Sequence, residues 1–148
     1  MSGAPACDAN ASTCLDFESG APVTTQPAFS VDNWTLASGT AAHGTGSFLC
    51  GNQANNNEET CFTYAAAGVT STVIFNVREV TDTASNLRIY ANDGAFESYV
   101  DAPLVNGQWR RGLVFAPPLL NRSWTFCYRK NGTGGGLDTA WVDDIQFE

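Results

Sequence analysis

The sequence predicts an all-β protein: an antiparallel β-sandwich with about nine or ten strands and no significant helix. Three observations carry this. Polar and apolar residues alternate through STVIFNVREV (71–80), SWTFCYRK (123–130) and DTAWVDDIQF (138–147), as in strands with one buried face. Turn-forming residues recur at intervals of roughly 8–15 residues, the spacing of a sandwich. Gly (14), Thr, Ser, Asn and Val are abundant, a composition of strands and turns.

Taken in order, residues 1–14 are small and polar and read as an N-terminal arm. Residues 15–148 read as one sandwich domain, since 148 residues fit a single core. LDFE (15–18) is a short strand. Pro22 and Pro27 mark the following segment as a loop. NWTLAS (33–38), the segment after the Gly-rich turn HGTG, and TCFTYAA (60–66) are strands. In 71–80, Val73, Phe75 and Val77 share one face, with Ile74, Asn76 and Arg78 on the other. NLRIYAN (86–92) enters a hairpin at Asn92-Asp93-Gly94 and returns as AFESYV (95–100). QWRRGLVF (108–115) places Trp109, Leu113 and Phe115 on one face, and 123–130 places Trp124, Phe126 and Tyr128 on one face. These aromatics, with Phe75, read as core. NGTGGG (131–136) is a loop before the last strand.

Charge and residue counts exclude several functions. Fifteen acidic against seven basic residues give a net charge of −8, which repels nucleic acid and anionic membrane surfaces. No apolar run approaches the roughly 20 residues of a membrane-spanning helix. One histidine, His43, leaves no His-rich zinc centre, and a Ser-His-Asp triad would rest on that residue alone. A glycosidase needs two carboxyls opposed across a cleft, and acids beside the chain termini are poorly placed for that. A non-catalytic protein is expected.

The cysteines Cys7, Cys14, Cys50, Cys61 and Cys127 form no CxxC pair, so disulfides in an oxidising compartment are expected. Sequential pairing, Cys7–Cys14 and Cys50–Cys61 with Cys127 left as a thiol, closes two short loops. Cys61–Cys127 across neighbouring strands is the rival. MSGAPACDAN has neither a charged nor an apolar stretch of a signal peptide, and Met1-Ser2-Gly3 reads as a start placed before a mature segment. The expected location is secreted, extracellular or cell-surface.

Leu15-Asp16-Phe17-Glu18-Ser19-Gly20 near the start and Leu137-Asp138-Thr139-Ala140-Trp141-Val142-Asp143-Asp144-Ile145 at the end frame GTGSFLCG, VIFNVREV, LRIYANDG, GQWRRGLVF and SWTFCYRKNG. In this order, over about residues 14–147, the chain resembles the MAM-like jelly-roll domains of secreted bacterial proteins. More broadly it is similar to concanavalin-like and galactose-binding-like sandwich modules. The resemblance implies adjacent first and last strands, an adhesion or binding role as an accessory module, and a calcium ion where the termini meet. Carbohydrate is then the expected ligand, by analogy of fold. A protein partner or self-assembly through the arm and strand edges is the alternative.

Asp16, Glu18, Asp138, Asp143 and Asp144 concentrate in the first and last strands. Converging carboxylates repel unless neutralised. Calcium needs six to eight oxygens, of which two or three carboxylates suffice. Asp16, Glu18, Asp143 and Asp144 are the candidate ligands, and strand alternation lets only one of the last two reach a given ion, with Asp143 favoured. For a sugar, Asn76, Arg78, Arg88, Tyr90 and Arg110 project away from the expected core and combine hydrogen-bonding and stacking groups. They could instead pair with Glu79, Glu97 and Asp101. A second candidate surface is the loop carrying Asn55, Asn56, Asn57, Glu58 and Glu59, with His43 and Asn92 nearby.

Overall fold

The alternating segments become strands, and their apolar faces meet in one core. A computed structural model describes residues 14–18, 20, 22–27, 34–50, 59–80, 86–91, 96–100, 107–129 and 139–148. Among them run β1 (Cys14–Leu15), β2 (Thr24–Pro27), β3 (Thr35–Ser38), β4 (Gly46–Leu49), β5 (Glu59–Ala65) and β6 (Val69–Val80). They are followed by β7 (Asn86–Ala91), β8 (Phe96–Val100), β9 (Arg110–Leu120), β10 (Ser123–Arg129) and β11 (Thr139–Phe147). Two antiparallel sheets result. One has the order β3-β4-β11-β6-β9, with β1 also on β11, and the other the order β2-β5-β10-β7-β8.

Aromatic rings fill the space between the sheets. Phe62 stacks on Phe126 at 4.8 Å and meets Trp34 edge-on at 4.9 Å, while Phe126 meets Phe75 edge-on at 5.5 Å. Both buried indoles find acceptors: Trp34 Nε1 donates to Thr60 O at 2.9 Å and Trp124 Nε1 to Thr70 Oγ1 at 3.0 Å. Truncating a fully buried ring such as Phe126 to alanine should cost about 3–5 kcal/mol.

Four expectations are corrected. Residues 24–27 form a strand where the prolines suggested a loop. Pro27 ends an edge strand, a position where no ladder N–H is needed. LDFE is a strand only to Leu15, because Phe17 takes a φ of 57°. The phase of β9 is inverted: Gly112 and Val114 point inward, and Leu113 and Phe115 lie outside, Phe115 at 62 % exposure. The Phe75 ring occupies the volume that a Cβ at Gly112 would need, so that strand must present glycine to the core.

The disulfide pairing is the fourth correction. Cys61 bonds Cys127, its direct partner across β5 and β10, and not Cys50. Cys50 is a buried thiol whose sulfur lies 3.2 Å from Thr60 Oγ1. Cys14 is disulfide-bonded, while the arm that carries Cys7 lies outside the described residues.

Candidate functional site

The first and last strands do meet. β1 pairs with β11 through Cys14↔Gln146 and Leu15↔Ile145, while β4 pairs with β11 through Trp141 and Val142. Asp143 and Asp144 fall in the gap between these two partners. Opposite them the β6 register slips between Asp143 and Gln146, and Asp144 takes a φ of 49°. A bulge of this kind re-aims side chains. It overturns the expectation that alternation would send the two carboxylates to opposite faces, for both are buried.

Both are held by one loop. Asp143 Oδ2 accepts the backbone N–H of Ala42 at 2.9 Å and of His43 at 3.2 Å, and its Oδ1 accepts that of Asp144 at 2.8 Å. Asp144 Oδ2 accepts Asn76 Nδ2 at 3.0 Å and lies 2.5 Å from His43 Nδ1. Burial, then the neighbouring Asp144 charge, push the Asp143 carboxyl up to about 7, against the pull of its three N–H donors.

Glu18 grips the other end of this loop. It accepts the N–H and hydroxyl of Thr45 at 3.1 Å and the N–H of Gly46 at 3.2 Å. These donors, backbone first, hold its carboxyl below the usual range. Gly44 makes the approach possible: its φ is 69°, and a Cβ there would lie inside the Glu18 carboxylate. Asp16 Oδ1 accepts the N–H of Glu18 at 3.2 Å and shapes the turn. The HGTG turn is thus the partner of the acids at both termini. Its Gly-x-Gly spacing was the available sequence signal.

As an ion site, the region offers oxygen donors of the type calcium takes. Among the described residues, however, no three His, Cys, Asp or Glu side chains are grouped to hold a metal. The Asp143 and Glu18 oxygens serve backbone N–H groups. Asp138 lies outside the described residues.

The expected sugar-binding set is divided between the two sheets. Asn76 is fully buried against Asp144. Arg110 turns inward, 3.6 Å from the buried Glu79, because it shares the inverted phase of β9. Arg78 donates from Nε to Gly107 O at 2.6 Å and lies 4.7 Å over the Trp141 ring, on the outer side of the first sheet. Arg88 and Tyr90 belong to the second sheet. Their ladder partners are Cys127 and Thr125 on β10, and Tyr99 and Glu97 on β8. These rows alternate with Phe126, Ile89 and Leu87 of the core, so positions 88 and 90 lie on the outer face. That face includes half-buried Tyr90 and the Thr63–Thr125 hydroxyl pair at 2.9 Å. The Asn55–Glu58 loop, Asn92 and Asp101 lie outside the described residues.

No family model and no curated protein matches the chain. Solved structures do match, and several of them are carbohydrate-binding modules. TmCBM61, solved in complex with β-1,4-galactotriose, is 16% identical with a TM-score of 0.57, over 90% of either chain. The K2 cleaved adhesin domain of Lys-gingipain is 18% identical with a TM-score of 0.62, over 90% of this chain and 92% of that one. The CBM22-1 xylan-binding domain from Paenibacillus barcinonensis Xyn10C is 11% identical with a TM-score of 0.54, over 91% of either chain. At these identities the likeness concerns the fold, a two-sheet antiparallel β-sandwich.

Proposed function

We propose that the protein is a non-catalytic, secreted or cell-surface carbohydrate-binding module, and that the outer face of the β2-β5-β10-β7-β8 sheet holds the sugar. The observation that carries this reading is the ladder register. It aligns Tyr90 with Thr125 and Thr63, and position 88 with the Cys61–Cys127 disulfide, on the face opposite the aromatic core. A half-buried tyrosine beside hydroxyls and an arginine position supplies a stacking ring and hydrogen-bonding groups. The galactotriose-bound and xylan-binding neighbours share this architecture and support a neutral polysaccharide ligand. The MAM-like assignment belongs to the same proposal and rests on the LDFESG and AWVDDI segments, which touch where Leu15 pairs with Ile145.

Calcium is part of the proposal. Asp143 and Asp144 would hold it where they meet Ala42 and His43, with Glu18 and Asp16 at the other end of the 42–46 loop. It would neutralise a carboxylate pair that burial and mutual repulsion now disfavour.

Affinity electrophoresis through gels containing β-1,4-galactan or xylan tests the binding face. The wild type should be retarded. Arg88→Ala with Tyr90→Ala should migrate freely while melting as the wild type does. A double variant that binds normally would place the ligand elsewhere, and a wild type retarded by neither polymer would reject these two sugars.

A further inference from the structure

Two cations stand side by side on the outer face of the first sheet. Arg78 and Trp141 are direct partners across β6 and β11, and the Arg78 guanidinium lies 4.7 Å over the Trp141 ring. Its Nε donates to Gly107 O at 2.6 Å, which fixes the fork, while Nη1 and Nη2 meet no acceptor among the described residues. Asn76, two residues earlier on the same face of β6, is the ladder partner of Arg111. Arg78 and Arg111 are therefore diagonal neighbours, with Cα atoms about 7–8 Å apart. Arg111 is exposed and likewise meets no acceptor among the described residues. Across β6 from it, Asp143 and Asp144 are buried and direct their oxygens at Ala42, His43 and Asn76. In a chain of net charge −8, the two arginines make a local positive patch.

The same face continues along β9. Leu113 pairs with Ile74 and Phe115 with Thr72, and both side chains of β9 point outward, Phe115 at 62 % exposure. Direct ladder partners share a face, so Arg111, Leu113 and Phe115 form one row beside Arg78. Phe115 lies about 13 Å along the strand from Arg111. The row thus offers two guanidinium groups at one end and an exposed aromatic ring at the other.

We propose that this face binds an acidic polysaccharide of the uronate class. Arg78 and Arg111 hold a sugar carboxylate, and the chain runs along β9 to lay a pyranose ring on Phe115. A planar carboxylate matches the guanidinium fork, and the apolar C–H side of a sugar suits an exposed ring. A peptide added to this sheet edge is a poorer occupant, because Pro117 and Pro118 lack the N–H groups that strand addition uses. A folded partner is poorer too: stable protein interfaces take roughly 20–30 residues a side, and this row supplies a handful. The surface lies on the opposite sheet from Tyr90, and its test does not depend on the sugar-binding face proposed above.

Isothermal titration with trigalacturonate, its trimethyl ester and a glutamate tripeptide tests the assignment. Trigalacturonate should bind saturably and more weakly as salt rises. The trimethyl ester, which keeps the ring and loses the charge, should bind at least roughly tenfold more weakly, as should the tripeptide. Arg111→Ala should weaken trigalacturonate roughly tenfold, and Phe115→Ala severalfold, both melting as the wild type does because the side chains are exposed. Arg78→Lys, which keeps the charge and loses the fork, should also weaken it. Arg88→Ala with Tyr90→Ala should leave it unchanged, which separates this site from the other face. The proposal is overturned if trigalacturonate does not bind, if the ester or the tripeptide binds as tightly, or if Arg111→Ala binds as the wild type does.

Discussion

The His43 ring lies against the Asp144 carboxylate, Nδ1 to Oδ2 at 2.5 Å, across about a hundred residues of chain. One residue earlier, Asp143 holds the backbone N–H of the same histidine at 3.2 Å. With Glu18 on Thr45 and Gly46, the acids of the first and last strands close on a single loop. Much of what can be tested concerns this clasp.

Gly44→Ala should destabilise the protein by about 2–3 kcal/mol. A left-handed alanine costs about 1–2 kcal/mol, and displacing Glu18 forfeits hydrogen bonds worth about 1 kcal/mol each. In a Glu18→Ala background the same change should cost only the backbone part. Urea denaturation of the four proteins completes the cycle; equal costs in both backgrounds would show that Glu18 does not occupy the space above Gly44.

In metal-free buffer, stability should fall as pH rises from about 4 to about 7. The Asp143 carboxyl ionises near 3.8 in the unfolded chain and near 7 in the fold, so across that window the native state binds the extra proton. Below both values the contribution is complete, and above both it is lost. Glu18 acts oppositely: its lowered value adds stability that is present above about 4.5 and lost on acidification. Denaturant midpoints against pH should therefore lose their fall between pH 4 and 7 in Asp143→Asn.

Peptide mapping without reduction should recover Cys61 linked to Cys127. The bond closes a loop with a sequence separation of 66 residues, for which the chain-entropy model gives about 4 kcal/mol. Cys61→Ala with Cys127→Ala should lose a large part of that in a denaturant melt. A Cys50–Cys61 peptide would contradict the β5–β10 register.

Calcium should raise the melting temperature, and EDTA should reverse the gain. A ligand bound only by the native state adds about 2.7 kcal/mol at a hundredfold excess over Kd. Asp143→Ala should abolish the response. A wild-type melt indifferent to both calcium and EDTA would remove calcium from the reading.

The sequence by itself determined the sheet-rich class, because period-two alternation through 71–80, 123–130 and 138–147 admits no other burial pattern. The meeting of the first and last strands was legible only through the family resemblance of LDFESG and AWVDDI. Tertiary structure decided the rest. Alternation defines two faces but not which one is inside, and β9 shows it: Gly112 yields its space to the Phe75 ring, so Leu113 and Phe115 go out and Arg110 goes in toward Glu79. Asp143 and Asp144 share a site because a bulge opposite β6 breaks the alternation that would have parted them. Asn76 and Arg78 were separated from Arg88 and Tyr90 because β6 and β7 enter different sheets. Cys127 met Cys61 because β5 and β10 pair in that register. Each of these outcomes depends on contacts between segments far apart in the chain, and local pattern carries no information about such partners.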